Sequence, residues 1–200
     1  IVTIKEGIET VFAESPDVFV AGDLFWYPAE GHIEIRYAPD IMVAFGRPKG
    51  HRRSYLQWLE GNVPPQVVFE ILSHSNRVGE MMRKFEFYQR HGVEEYYVYD
   101  PQTNRLEGWQ RNESLLVPIE SVGDWVSPML GIRFALTTDT LEIHRPDGTR
   151  FQTYQQLATE KKQADQRAAS AEKQLKASEE KARRLAEKLK ELGIDPDQIA

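Results

Sequence analysis

Val67-Val68-Phe69-Glu70-Ile71-Leu72 is an apolar run broken by a single polar residue, Glu70. Strands covered on both faces read as continuous apolar runs, whereas half-exposed strands alternate, so this stretch predicts the central strand of a sheet. The next segment sets the topology. An amphipathic stretch runs to about His91, with Ser75 or Asn76 as its cap, Gly92 as its terminator and Glu95–Asp100 as the next strand. Helix between strands predicts a crossover.

Upstream, Ile4, Ile8, Val11 and Phe12 recur at helical spacing within Thr3–Ala13, which predicts a short amphipathic helix. The β-branched and aromatic stretches Val18–Ala21, Leu24–Tyr27, Ile33–Tyr37 and Ile41–Phe45 predict strands, and Pro28 with Gly31 punctuates them as a hairpin. The segment from Gly46 to Pro64 is expected to be loop, with a helical turn over Ser54–Glu60, and Pro64-Pro65 stops any helix. Downstream the pattern predicts a hairpin over Asn104–Ile119 turning near Asn112, a strand over Met129–Phe134, and a hairpin over Leu141–Arg150 around Asp147-Gly148. The body is therefore expected to be α+β, a central mixed β-sheet flanked by helices.

From Gln155 onward the composition turns to alanine, glutamate, lysine and leucine, without proline or glycine until Gly193. Leu157, Ala164, Ala171, Ser178, Leu185 and Leu192 repeat every seven residues, and Lys161, Ala168, Leu175, Ala182 and Leu189 form a second register four residues on. Alternating steps of four and three predict the seam of a left-handed coiled coil, with a solitary solvated helix as the other reading. Self-association, most simply a homodimer, is the expectation. The chain is read as residues 1–154, the α+β body, and residues 155–200, the helical tail, which ends at Gly193-Ile194-Asp195-Pro196.

Composition narrows the chemistry. The 200 residues include no cysteine, so disulfides, thiolate metal sites and a cysteine nucleophile are all excluded. No stretch approaches the ~20 apolar residues that span a bilayer, and Ile1–Thr10 has neither the basic start nor the apolar middle of a signal peptide. A cytoplasmic protein without a membrane partner is expected. The formal net charge of −6 opposes tight binding to a phosphate backbone. The tail holds ten Lys and Arg against nine Asp and Glu, so the acidity lies in the body. Within that body, Arg47, Lys49, Arg52 and Arg53 form a basic stretch with no acid before Glu60, a candidate nucleic-acid-binding surface.

Two acids stand out. Asp40 follows a proline where a strand is predicted, and aspartate is a poor strand former. Glu70 ends an apolar strand, where a carboxylate is costly to bury unless a metal, a cation or hydrogen bonds receive it. Structurally, Asp40 could simply end a turn and Glu70 could pair with Lys84 or Arg83. Lys84 shares a helix face with Met81 and Tyr88, and it could instead be a lysine whose stem covers apolar surface. Functionally, two carboxylates and a cation can bind a divalent ion and offset the charge that builds on a phosphate. Hard oxygen ligands, without cysteine and without paired histidines, point to Mg²⁺ or Mn²⁺ in preference to zinc.

The ordered set Ala38-Pro39-Asp40-Ile41-Met42-Val43, Val67-Val68-Phe69-Glu70-Ile71-Leu72-Ser73, Lys84 with Tyr88, and Gly92-Val93-Glu94-Glu95-Tyr96-Tyr97-Val98-Tyr99-Asp100-Pro101 resembles the nuclease family called domain of unknown function 820. That family belongs to the restriction-endonuclease-like PD-(D/E)XK superfamily, and the resemblance covers roughly residues 16–150. It implies a restriction-endonuclease-like core and DNA as substrate. The lysine usual two residues after the glutamate is here Leu72, and the resemblance implies that Lys84 supplies the cation from the following helix. His74 stands where a proline is usual, and Tyr97 where a tryptophan is usual.

The resulting expectation is a metal-dependent endonuclease that hydrolyses DNA phosphodiester bonds, with Asp40, Glu70 and Lys84 catalytic and Asp40 and Glu70 as metal ligands. Two other readings stay open. One is an inactive nuclease-fold adaptor that dimerises through its C-terminal helix, and the other is a nucleic-acid-binding module that does not cleave.

Overall fold

Six strands build the main sheet: β1 (Val18–Ala21), β3 (Ile41–Phe45), β5 (Val67–Ile71), β6 (Glu95–Asp100), β7 (Arg105–Asn112) and β8 (Leu115–Pro118), hydrogen-bonded in the order β1-β3-β5-β6-β7-β8. β5 and β6 run parallel and every other neighbouring pair antiparallel, so the sheet is mixed. The computed structural model describes residues 1–73 and 77–191, and the chain divides between Gln152 and Thr153 into two units.

The run that announced the sheet is its centre. Val67, Val68, Phe69 and Glu70 are all buried, because β5 lies between β3 and β6 and is covered on both faces. Between β5 and β6 runs α2 (Val78–Arg90), the crossover that a parallel pair requires. Gly92 follows it at φ +90°, a backbone region that glycine enters without steric cost, and the chain turns directly into β6. The candidate caps Ser75 and Asn76, the departure at His74 and the expected tail end from Gly193 lie outside the described residues.

Alternation along the strands divides the core in two. One face carries Ile41, Val43, Val67 and Phe69 against Ile8 of α1 (Val2–Val11) and against Phe134 and Ile143, from the two-stranded sheet of β9 (Arg133–Leu136) and β10 (Leu141–His144). The other carries Met42, Ala44, Val68 and Tyr96 against Phe87 and Tyr88 of α2. Trp26 and Tyr55 complete that second face, from the short parallel pair β2 (Trp26–Tyr27) and β4 (Tyr55–Leu56).

Three local expectations differ from the structure. Ile33–Tyr37 forms no strand beyond one bridge, Trp26 to Tyr37. Ile33 and Ile35 stay in water while Arg36 lies over the rings of Phe25 and Tyr27. The segment expected as a helical turn, Ser54–Glu60, begins as β4 and then makes one 3-10 turn, Gln57–Leu59. Finally, β10 pairs with β9, and the turn at Asp147-Gly148 contributes a bridge between His144 and Arg150.

In the second unit, α3 (Tyr154–Glu191) is one continuous helix. Leu157, Leu175 and Leu185 are each about half exposed in the single chain. The ion pairs Glu172–Lys176, Glu180–Arg184 and Arg183–Glu187 join positions one turn apart and each adds roughly 0.2–0.5 kcal/mol of local helix stability. Among the described residues no helix is long and apolar enough to cross a membrane.

Gly7 sits under the ring of Phe151, so a Cβ at position 7 would fall 2.1 Å from a ring carbon. Gly7→Ala is therefore expected to destabilise the body by about 1–3 kcal/mol in urea unfolding, the ordinary cost of overpacking a filled core. Adding Phe151→Leu should recover part of that loss. Additive losses in the double variant would show that the two positions do not share this space.

Candidate active site

Asp40 is the last residue before β3, and the antiparallel register that sets Ile41 against Phe69 brings Asp40 beside Glu70. Its Oδ2 accepts the backbone N–H of Ile71 at 2.6 Å. The poor strand former at position 40 thus serves the sheet as an acceptor where β3 begins.

Glu70 points to the α2 side of the sheet and is 2% exposed. Lys84 and Tyr88 stand four residues apart, hence on one face of α2, and both reach it. The Lys84 Nζ donates to Oε2 at 2.7 Å and the Tyr88 hydroxyl donates to Oε1 at 2.6 Å. Lys84 is itself buried, and Arg83, the other candidate partner of Glu70, faces solvent. The cation therefore comes from the helix, while Leu72, at the position usual for it, packs against the apolar cluster on the same side of the sheet.

Burial pushes the Glu70 carboxyl above its ordinary range. Lys84 and Tyr88 pull it back, the charge on Asp40 pushes it further up, and the net direction is upward. Burial and the adjacent Glu70 charge also raise the Tyr88 hydroxyl, which stays neutral and donates.

Asp40, Glu70 and Lys84 thus stand together, as the resemblance implied. Tyr88 belongs with them. The sequence carried a signal for it, four residues after Lys84 on the same face, but nothing in the pattern said that its hydroxyl would reach Glu70. Among the described residues no group of three or more His, Asp or Glu converges. Two carboxylates still suit a small hard cation, because Mg²⁺ keeps several waters and is bound through one or two carboxylates plus substrate phosphates. Zinc sites rest on sets of three or four protein ligands rich in nitrogen and sulfur. The donor set here fits the former.

The basic stretch is distributed differently. The Arg52 guanidinium reaches both oxygens of Glu60, at 2.6 and 3.1 Å, and lies 3.9 Å over the ring of Phe19. Lys49 donates to the carbonyls of Phe12 and Ala13 just past α1, at 2.6 Å each. Arg47 donates to the Gly46 carbonyl, and Arg53 is exposed. Arg52 and Lys49 fasten loops as well as carrying charge.

Residues 8–143 match the family model Uma2, described as "Putative restriction endonuclease". One solved structure that matches is the crystal structure of "a putative nuclease belonging to DUF820" from Anabaena variabilis ATCC 29413, at 15% sequence identity and a TM-score of 0.46. The match covers 62% of this chain and 66% of that one, just under two thirds of its length. No curated protein matches.

Lys84→Met should leave Glu70 as an uncompensated buried carboxylate, at a cost of about 3–5 kcal/mol near neutral pH. The folded-state pKa of Glu70 lies above its unfolded value, so its contribution to stability is complete below that unfolded value and is lost as pH rises through the folded one. Without Lys84 the folded value climbs further. Urea unfolding at about pH 4 and about pH 8 should show the deficit of Lys84→Met widening at the higher pH. Adding Glu70→Gln should remove that pH dependence. A deficit equal at both pH values would mean that Glu70 is not the responsible group.

Proposed function

The chain belongs to the Uma2 family, and from that premise we propose that it is a divalent-metal-dependent endonuclease hydrolysing DNA phosphodiester bonds. The observation that carries this reading is the convergence of Asp40, Glu70 and Lys84 at the start of β3, the end of β5 and the buried face of α2. Asp40 and Glu70 hold Mg²⁺ or Mn²⁺. The chemistry such an ion supplies when bound is polarisation of a phosphoryl oxygen and a lowered pKa of water.

The protein's own groups do the rest. Tyr88 and Lys84 fix both oxygens of Glu70, so the carboxylate is oriented before substrate arrives. Asp40, tied to the Ile71 N–H through Oδ2, is held at a set position beside it. The Lys84 ammonium offsets the negative charge that develops on the phosphate, which a compact point charge does well. Of the basic stretch, Arg53 is the residue proposed to meet the DNA backbone, since Arg52 and Lys49 already serve Glu60 and the end of α1.

One observation favours a different reading, an inactive nuclease-fold adaptor. Glu70 is almost fully buried and both its oxygens already accept strong hydrogen bonds. Asp40→Asn separates the two, because asparagine keeps the acceptor for the Ile71 N–H and removes the charge. For the endonuclease, Asp40→Asn should abolish calorimetric binding of Mg²⁺ or Mn²⁺ and reduce plasmid nicking at least about a hundredfold, a loss of roughly 3 kcal/mol of transition-state stabilisation, with unfolding unchanged. A wild-type protein that binds neither ion and nicks nothing is the adaptor.

The tail is proposed to dimerise the protein through its heptad seam, which leaves Leu157, Leu175 and Leu185 half exposed in one chain. Light scattering should give a dimer for the full chain and a monomer after deletion of residues 155–200. An unchanged mass after deletion would move self-association to the body, and a monomeric full chain would make α3 a solitary helix.

A further inference from the structure

α2 has a second working flank. Met81 and Phe85 occupy a stripe offset from Lys84 and Tyr88, and with Leu72, Tyr96 and Trp109 they wall a cleft of about 480 Å³. At its mouth Val78 is 79% exposed and Met82 61% exposed, two large apolar side chains one turn apart in water. Sites of this volume with apolar walls and few polar groups are the usual form of small-ligand sites.

One wall residue of the cleft, Tyr96, is 1% exposed, and its buried hydroxyl makes no hydrogen bond among the described residues. Native interiors rarely leave such a group unsatisfied unless water or a ligand meets it. The surrounding surface is aromatic: the Tyr96 ring stacks on Trp109 at 5.3 Å, and Phe85 meets Trp109 edge-on at 5.5 Å.

Burial, together with the charges of Glu70, Asp40 and Glu107, holds the Tyr96 hydroxyl far above its usual range, so it is a neutral donor. Arg77, Asp100 and Glu107 also line the cleft, with both Asp100 oxygens accepting from Gln102 and Thr103 and Glu107 paired with Arg105. The ligand these features describe is flat and heteroaromatic, with an acceptor for Tyr96.

We propose that this cleft binds one unpaired nucleobase, lodged against Trp109 and Phe85 with an acceptor atom on the Tyr96 hydroxyl. The proposal rests on the endonuclease reading for the source of the base, a nucleic acid whose phosphate lies at Asp40 and Glu70. Stacking on aromatic side chains and hydrogen bonding to base edges are how unstacked bases are held.

The test uses the full chain and neutral nucleosides, adenosine, cytidine and thymidine, followed by calorimetry and tryptophan fluorescence. At least one nucleoside should saturate a single site, and inorganic phosphate should not compete. Tyr96→Phe should weaken that binding roughly tenfold, the size of one lost hydrogen bond. Its thermal unfolding should be unchanged or improved, because an orphaned hydroxyl is removed. Met82→Glu, at the exposed mouth, should weaken binding without altering the fold.

Plasmid nicking is measured on the same samples. Nicking without nucleoside binding would overturn the cleft and leave the endonuclease standing. Nucleoside binding that Tyr96→Phe weakens, in a protein that does not nick, would keep the cleft and remove the endonuclease. Binding indifferent to both variants would put the base elsewhere and overturn the proposal.

Discussion

A carboxylate sealed inside an apolar sheet must be met by donors, and the three that meet Glu70 and its neighbour Asp40 come from different parts of the chain. Lys84 and Tyr88 require α2 to cross the sheet with one defined face down, and the Ile71 N–H requires β3 to enter beside β5 in one register. A slip of one residue in β5 would turn Glu70 to the opposite face, into the cluster around Phe69 and Tyr97, away from Lys84 and Tyr88. The same ion pair therefore specifies how the central layer assembles. Its worth lies in that specificity as much as in stability, because a buried pair recovers little more than its own desolvation.

The sheet holds a second buried carboxylate, solved in another way. Glu95 begins β6 on the α1 side, fully buried, and receives the Tyr97 hydroxyl, the Ser127 hydroxyl and the Met129 N–H. Burial raises its pKa, and the three donors lower it only in part. With these neutral donors, the group ties β6 to the loop before β9. Tyr97 links it onward, since its hydroxyl also accepts the indole N–H of Trp125. The tyrosine at the position where a tryptophan is usual is thus part of a polar latch with an indole supplied from elsewhere in the chain.

What the sequence revealed and what it hid depend on range. β5, α2, β6 and α3 were legible because an unbroken apolar run, a helical stripe ended by Gly92 and a heptad pattern are local statements. Asp40, Glu70 and Lys84 were legible as an ordered set because that set resembles a known nuclease family. Ile33–Tyr37 misled because its alternation is real but its isoleucines stay in water, and only Tyr37 bridges to β2, whose other edge pairs with β4. The Glu95 latch and the Tyr88 bond were hidden because a donor 32 or 18 residues away leaves no periodic trace. Arg52 misled for the same reason, since its acid partner lies eight residues later, across a turn.

The closure of Gly7 beneath Phe151 makes the two ends of the body depend on each other. Within the unit, α1 lies far ahead of Phe151 in the chain, so Ile8 gains the last piece of its cover only when the two ends of the unit meet. Closing so long a loop is a late step, paid for in chain entropy. Until that closure the apolar side of α1 lacks its cover.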